Sequence, residues 1–378
     1  MSRSVHEHLI TPSVYKVRGY QWYRPIVWYV YPLWHKVSFT LIGNYHVQEL
    51  KKYYRVYEID ELAFGSIDVY GKIHLIIHPY FFIATRYSQY FVNIIDKFET
   101  KIGIDVADSD MISKRAVNLV HYLDAIIVPS NFSKEAYLRS GVKIPVYVVP
   151  HGLSEHYFKP PRPAVTPFIK ELREKKKREK AIYLLFFLIH SGRRKGAHLV
   201  YQVANEIQKM YNNVYLVLKV GFAGGGDFKL LSQLRTLWTT QWFSEQELVD
   251  LYDSCDIYLG FSTGGGFEKN FLEAISRGLP CIACNKGSWT DFLPDFLLVP
   301  YARRVKVFPE ANPLLHIHCG YGYELDVEKA IDKLKDVIEN LDEYKAKVKE
   351  YWNKIKSRYT WESIGKMLKQ VLDKYIKE

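Results

Sequence analysis

The chain has 378 residues, 48% of them hydrophobic, and a formal net charge of +11. This length and apolar content suit two folded domains and exclude a disordered chain. The longest apolar run, residues 181–189, is too short to span a bilayer, and residues 1–10 lack the apolar region of a signal peptide. We therefore expect a cytoplasmic protein, and we leave peripheral membrane contact open.

The positive charge is concentrated in one part of the chain. Residues 156–196 hold 12 Lys/Arg and three Asp/Glu, mostly in KELREKKKREK (170–180) and GRRKG (192–196). A compact positive centre suits a phosphorylated small molecule or an anionic surface better than a nucleic-acid duplex. For residues 170–180 we favour a solvated helix. Nucleic acid is kept only as a minor alternative partner.

Strands and helices alternate weakly in the first half. Apolar runs predict strands at 36–44, 72–78, 101–106, 124–130 and 145–152, and helical spacing predicts helices at 45–54, 112–123 and 131–141. The aromatic segment YQWYRPIVWYVYPLW (20–34) matches neither period. Its packing in a core, its stacking on an acceptor sugar and its contact with lipid are left open.

The second half alternates clearly. Strands are predicted at 180–192, 213–221, 256–262 and 279–285, and helices at 197–211, 244–255 and 268–278. This alternation predicts a parallel sheet covered by helices on both faces, with ligands bound at the carboxyl ends of its strands. Cys281 and Cys284 lie in the last predicted strand, where apolar packing is favoured over a redox pair or a zinc site.

Two glycine-rich turns of the second half carry the predicted ligand chemistry. SGRRKG (191–196) joins a strand to a helix and bears three cations, which with the helix N-terminus would bind a diphosphate. The loop STGGGF (262–267) places exposed amides where an anion can approach closely. Glu273, one turn into the next helix, is a candidate for bonding a ribose diol. A basic surface turn and a flexible glycine turn are the alternatives.

These motifs resemble those of retaining GT-B glycosyltransferases, of the family 4 type (group 1). The resemblance rests on residues 256–293, on the shortened phosphate turn HSGRRKG (190–196), on 123–160 and on the closing helix YTWESIGKMLKQVLDKY (359–375). It covers about residues 105–378. It implies an α/β GT-B fold of two Rossmann-like domains whose parallel sheets face a deep cleft between them.

The domain boundaries follow from the proline-rich segment 156–167 and from this resemblance. We predict an acceptor domain at 1–155, a linker at 156–180 and a nucleotide-sugar donor domain at 181–359. The C-terminal helix at 360–378 is expected to cross back onto the first domain, as in that family.

The resemblance also implies roles in donor binding. Arg193 and Lys195 would hold the donor diphosphate and stabilise the leaving group, Glu273 would bind the ribose, and Gly266 and Phe267 would offer main-chain N–H groups. The predicted donor-binding set is completed by Gly192, Gly265 and Glu268. The first of the family's paired glutamates falls at Gly265, so its role is either lost or taken by Glu268. If it is lost, the chain would bind a nucleotide sugar without transferring it.

Two residues of the first half are further catalytic candidates. His78 ends a predicted strand, where it would either face the cleft or be an ordinary strand-end histidine. Asp108 is our candidate for a carboxylate near the anomeric carbon or the acceptor hydroxyl. The D-x-D at 108–110 also matches a metal–nucleotide motif, but the phosphate turns lie in the other half, so this interpretation is minor. For Asp110, capping of the following helix is an equal alternative.

The sequence therefore predicts a retaining, metal-independent glycosyltransferase that uses a nucleotide-diphosphate sugar as donor substrate and has no cofactor. The catalytic set is His78, Asp108, Arg193 and Lys195. A carbohydrate, a lipid-linked molecule or a protein is the expected acceptor. A nucleotide-sugar-binding protein without transferase activity and a nucleic-acid-binding or nucleic-acid-modifying protein are the competing hypotheses.

Overall fold

The computed structural model describes residues 24–35, 37–86, 88–189, 191–310 and 316–377. The N-terminal strands are β1 (Ile26–Tyr31), β2 (Arg55–Asp60), β3 (His74–Ile77), β4 (Thr100–Ile104), β5 (Ala125–Val128) and β6 (Val146–Val148). The helices between them are α1 (Ser38–Leu50), α2 (Tyr80–Arg86), α3 (Ser88–Ile95), α4 (Lys114–Val120) and α5 (Asn131–Arg139).

The C-terminal half is built in the same way. Its strands are β7 (Ile182–Leu188), β8 (Val214–Val220), β9 (Thr236–Thr239), β10 (Ile257–Gly260), β11 (Cys281–Cys284), β12 (Leu298–Val299), β13 (Tyr301–Lys306) and β14 (Tyr321–Leu325). Its helices are α6 (Pro167–Glu179), α7 (Ala197–Met210), α8 (Gly226–Leu231), α9 (Glu245–Tyr252), α10 (Lys269–Ser276), α11 (Val327–Glu339), α12 (Leu341–Ile355) and α13 (Trp361–Leu372).

Two six-stranded sheets and one hairpin organise the molecule. The first sheet has the order β2-β1-β3-β4-β5-β6 and the second β12-β11-β10-β7-β8-β9. Every strand pair in both sheets is parallel, whereas β13 and β14 pair antiparallel. Two parallel sheets with alternating helices confirm the predicted α/β fold. In the second sheet the strand order reverses between β7 and β10, and ligands bind beyond the carboxyl ends of such neighbouring strands.

The predicted strand at 36–44 is wrong. Residues 38–44 form the first part of α1, because Ile42, Val47 and Leu50 are buried at helical spacing on one face of a single longer helix. The apolar run was too short to separate the two periods. Strand β2 was not predicted because it lies at the edge of its sheet and keeps polar residues exposed.

The aromatic segment contributes β1 to the core of the N-terminal sheet. Trp28, Tyr29 and Tyr31 are buried, and the Tyr29 hydroxyl lies 2.8 Å from Nδ1 of His46. Core packing is therefore the role of residues 26–31, while residues 20–23 of the predicted segment lie outside the described ranges. Within the described ranges, no helix combines the length and the apolar content that a membrane span requires.

The basic run at 170–180 is mostly helix α6, within the predicted linker. Ile169 and Leu172 are buried in the C-terminal core. Lys176 forms a 2.7 Å ion pair with Asp256, so part of the positive charge of α6 is compensated by the C-terminal domain.

Helix α13 packs on the N-terminal unit. Its apolar face shares a core with β1 and α1, and the Trp361 ring stacks on Tyr45 with 4.6 Å between centroids. A side-chain carbon at Gly152 would lie 2.8 Å from the Trp361 ring, so the turn after β6 fits closely against it. The last helix therefore ties the C-terminal half to the first domain.

Replacing Trp361 tests how much the packing of α13 on the N-terminal unit stabilises the protein. Trp361→Ala is expected to lower the free energy of unfolding by ~3–5 kcal/mol, since it removes a buried aromatic ring from a packed core. Trp34 is 79% exposed, so Trp34→Ala is the matched control and should change stability by less than ~0.5 kcal/mol. Chemical denaturation followed by circular dichroism measures both, and equal midpoints for the two variants would contradict the assignment.

Candidate active site

The two glycine-rich turns meet at the carboxyl ends of β7 and β10. The Thr263 N–H donates to the Arg194 carbonyl at 2.8 Å, and Nη1 of Arg194 donates to the Gly264 carbonyl at 2.9 Å. The strands are paired neighbours, which brings the turns to the same edge of the sheet. The basic turn and the glycine loop therefore line one site.

The glycines of the loop are needed for close approach by other parts of the chain. A side-chain carbon at Gly264 would lie 2.4 Å from the Asp108 carbonyl, and one at Gly266 would lie 2.4 Å from Cβ of Val106. Real Cβ atoms are not found so close to a backbone oxygen or to another Cβ atom, so both positions favour glycine. The loop after β4 in the first domain thus rests directly on the glycine loop of the second.

Lys195 is bound to a carboxylate of the same site. Its Nζ lies 2.7 Å from both carboxylate oxygens of Glu268, and Glu268 is 4% exposed. The two side chains border a cavity of about 120 Å³ whose other walls are largely aromatic, among them Phe187, Tyr258 and Phe271. The Lys195–Glu268 pair is thereby largely shielded from water.

Asp108 reaches across from the first domain into this site. Its Oδ1 accepts a 2.9 Å hydrogen bond from the Gly266 N–H, and its Oδ2 lies 3.5 Å from Nη1 of Arg194. Burial alone would raise the pKa of Asp108, but Arg194, His318, the Gly266 amide and Lys195 together lower it below its ordinary value. Asp108 is therefore an ionised carboxylate that joins the two domains.

The basic turn presents its three cations differently. Arg193 is exposed, whereas the side chain of Arg194 is 9% exposed and contacts the glycine loop. The sequence predicts donor contacts for Arg193 and Lys195 but not for Arg194, because three consecutive cations do not reveal which of them faces inward. Gly192 lies against Asp227, and a side chain at position 192 would require the Asp227 carboxylate to move.

Glu273 lies one turn into α10 and is 4% exposed. Lys269 binds one carboxylate oxygen at 2.9 Å, and the Tyr252 hydroxyl donates to the other at 2.8 Å. Its predicted contact with a ribose remains a prediction. Phe267 is half-buried, with its ring 4.9 Å from that of His151.

His78 belongs to a cluster of three buried histidines on the first domain's side of the cleft. The His46 ring lies 5.6 Å from that of His78 and 6.5 Å from that of His151. Among the residues that the structure describes, His46 Nε2, His78 Nδ1 and His151 Nδ1 are buried without a hydrogen-bond partner. Burial lowers the pKa of His46 to about 3 and lowers the pKa of His78 and His151, so all three are neutral at neutral pH.

The remaining acidic residues near Asp108 have structural partners. Asp105 accepts hydrogen bonds from the Phe81 and Val106 amides, and burial raises its pKa to about 7. Asp110 pairs with Arg304 instead of capping the next helix, which is capped by the Ser113 side chain. In the described part of the chain, no group of three acidic, histidine or cysteine side chains is arranged to hold a metal ion.

The β13–β14 hairpin was not predicted and completes this side of the site. The Asp110 N–H donates to the Tyr321 carbonyl at 2.8 Å, and the Asp108 N–H donates to Nδ1 of His318 at 3.2 Å. The Tyr323 N–H donates to the Thr263 carbonyl at 2.8 Å, so the hairpin touches both domains. His318 and Tyr321 are more than 200 residues away from the Asp108 loop in the sequence, and Thr263 belongs to the glycine loop. No local sequence pattern predicts these contacts.

Comparison with known proteins identifies relatives of this chain. Residues 168–296 match the model of the family Glycosyl transferases group 1. The chain is 33% identical over 358 residues to uncharacterized protein 356 of Sulfolobus islandicus rod-shaped virus 1. The aligned region covers 92% of this chain and 98% of that protein. The chain is 28% identical over 302 residues to a protein of Sulfolobus islandicus filamentous virus provisionally named glycosyltransferase 45, spanning 75% and 79% of the two chains.

Solved structures share the fold. Anabaena HepE, in complex with UDP and glucose, superposes with a TM-score of 0.64 over 93% of this chain and 100% of that chain. The sequence identity is 12%, so this likeness concerns the fold alone. The hairpin begins after residue 296, where the family match ends.

The buried histidines predict an acid-sensitive fold. Unfolded histidines take up protons near pH 6.5, whereas His46 in the folded protein does so only near pH 3. Below about pH 6.5 the unfolded chain gains protons that the folded protein does not bind, so the free energy of unfolding falls by up to ~1.4 kcal/mol per pH unit. Above about pH 6.5 this loss is absent. His46→Gln, which keeps a hydrogen-bonding side chain for Tyr29, should therefore lose less stability than the wild type between pH 7 and pH 5.

Thermal unfolding at both pH values measures this difference. His121 is exposed, and His121→Gln should retain the pH dependence of the wild type. An identical pH dependence in His46→Gln and the wild type would show that the cluster does not remain neutral.

Proposed function

We propose that this chain transfers a sugar from a nucleotide-diphosphate donor to an acceptor, with retention at the anomeric carbon. The chain belongs to the same family as protein 356 of the rod-shaped virus, and its residues 168–296 match the group 1 glycosyltransferases. The donor binds at the carboxyl ends of β7 and β10, and the acceptor binds against the first domain. The acceptor is a carbohydrate, a lipid-linked molecule or a protein. UDP and UDP-glucose, which the HepE structures contain, are the first donors to test.

One observation carries the proposal: the basic turn and the glycine loop lie in direct contact. Lys195, Arg194 and the Gly266 amide converge there from two separate turns, and Arg193 extends from the same turn into solvent. Anionic oxygens bind strongly to such sets of cations and main-chain N–H groups. A diphosphate is the part of a nucleotide sugar that matches this chemistry.

The cations also supply the electrostatic part of the reaction. When the bond between the sugar and the diphosphate breaks, negative charge develops on the leaving oxygen. Fixed positive groups in a site shielded from water stabilise that charge without reorganisation. We therefore assign leaving-group stabilisation to Lys195 and the arginines of the turn, with no metal ion in this role.

The other predicted residues complete the proposal. Gly192, Gly265, Phe267, Glu268 and Glu273 surround the donor, with Glu273 on the ribose. His78 and Asp108 face the donor from the first domain, where Asp108 is ionised and 21% exposed. The acceptor oxygen forms its bond to the anomeric carbon on the face from which the diphosphate departs, which gives retention, and its proton passes to the departing phosphate as the bond between sugar and diphosphate breaks.

Replacing Lys195 tests the assignment. Lys195→Ala is expected to lower turnover by ~100-fold or more, as the loss of other groups that stabilise developing charge does. Turnover is measured as nucleotide released from UDP-glucose and, in parallel, from the GDP and ADP sugars. The control is Lys209→Ala, since Lys209 is an exposed lysine at the end of α7 with its own glutamate partner. Near-normal turnover in Lys195→Ala would contradict the proposal.

The same assay separates the competing hypotheses. A nucleotide-sugar-binding protein without transferase activity would show donor-induced thermal stabilisation and release no nucleotide. A nucleic-acid-binding protein would bind DNA with a steep salt dependence and would not respond to the donors.

A further inference from the structure

Two carboxylates of the chain bind the groups that the proposed function assigns to the donor diphosphate. Glu268 holds Lys195 through both oxygens at 2.7 Å. Asp108 accepts from the Gly266 amide at 2.9 Å and pairs with Arg194 at 3.5 Å. Three of the groups with which the site would bind an anion, namely Lys195, Arg194 and the Gly266 amide, are thus each paired with a carboxylate oxygen of the protein.

A carboxylate and a phosphate are acceptors of the same kind. Both present negatively charged oxygens to N–H donors and cations, and both favour the same charge-assisted geometry. The Gly266 amide has a single N–H, so a diphosphate cannot bond it fully while Asp108 keeps it. A diphosphate at Lys195 has to compete with Glu268 for the charge and the N–H donors of one ammonium group. Like charges brought together in a shielded site also repel strongly.

We propose, on the basis of the proposed function, that Glu268 and Asp108 occupy the diphosphate subsite and are displaced by the donor. They determine donor affinity, because the binding energy of the diphosphate is reduced by the two ion pairs it replaces. The site then favours a ligand with several anionic oxygens over one with a single charge.

Displacement of the Glu268 side chain and displacement of the Asp108 side chain have different effects on the rest of the molecule. Glu268 and Lys195 belong to one domain, so their exchange for a phosphate is local. Asp108 comes from the first domain, and its loop rests on Gly264 and Gly266 without space for a side chain. Displacing Asp108 therefore loosens the contact between the loop after β4 and the glycine loop, and donor binding is coupled to separation of the two domains at this point.

Two variants test the inference by titration calorimetry with UDP, with GDP and ADP measured in parallel. Glu268→Gln and Asp108→Asn keep hydrogen-bonding side chains and remove the charge, so each is expected to tighten UDP binding roughly tenfold, about 1.4 kcal/mol. The matched control is Glu206→Gln, which removes the glutamate of an exposed lysine–glutamate pair on α7 and should leave UDP affinity unchanged.

A second measurement addresses the coupling between domains. Amide hydrogen exchange in residues 106–110 is expected to increase when UDP binds the wild-type protein, since the Asp108 loop loses its partners. Unchanged or weaker UDP binding in both charge-removing variants, with UDP still bound by the wild type, would overturn the inference and leave the proposed function standing. Binding of none of the three nucleotides to any of these proteins would overturn both.

Discussion

The contact between Asp108 and the pair formed by Arg194 and the Gly266 amide is the interaction on which the site depends. It joins the carboxyl edges of two parallel sheets, and it exists only because Gly264 and Gly266 let two backbones approach closely. A carboxylate in this setting is costly to bury unless cations and N–H groups compensate it. The same compensation makes the site an anion-binding site, so the domain contact and the ligand chemistry use one set of groups.

The surrounding architecture holds these groups in register. Because β7 and β10 are neighbours, the turns that follow them start from fixed positions, and helices α7 and α10 begin immediately beyond them. From the other side, the hairpin binds the Asp108 loop and the glycine loop through main-chain hydrogen bonds. Helix α13 adds a second connection between the domains, away from the site. The hairpin at the site and α13 away from it therefore each hold the two halves of the chain together.

Local patterns predicted the C-terminal domain well. The predicted helix at 244–255 contains α9, which begins with a capping box formed by Ser244 and Glu247. The predicted strands at 180–192, 213–221, 256–262 and 279–285 contain β7, β8, β10 and β11. Prediction failed where distant contacts decide the outcome. Most of the run 36–44 is helical because Ile42 lies on the same buried face of α1 as Val47 and Leu50, which come after the run. Arg194 faces inward because of the geometry of its turn, which the amino-acid composition does not encode. The histidine cluster draws its members from three segments, so it has no spacing to recognise.

The glycine at 265, where the resemblance predicts a glutamate, and the position of the Glu268 side chain are structurally linked. The glutamate expected at 265 by resemblance is a glycine, and a side-chain carbon there would lie 2.1 Å from a carboxylate oxygen of Glu268. A larger residue at 265 would therefore require the Glu268 carboxylate to move. A carboxylate does lie beside Lys195, and it is that of Glu268 at the start of α10. Since the electrostatics of a site depend on where charge lies in space, the glycine at 265 leaves this site with a negative charge next to its lysine.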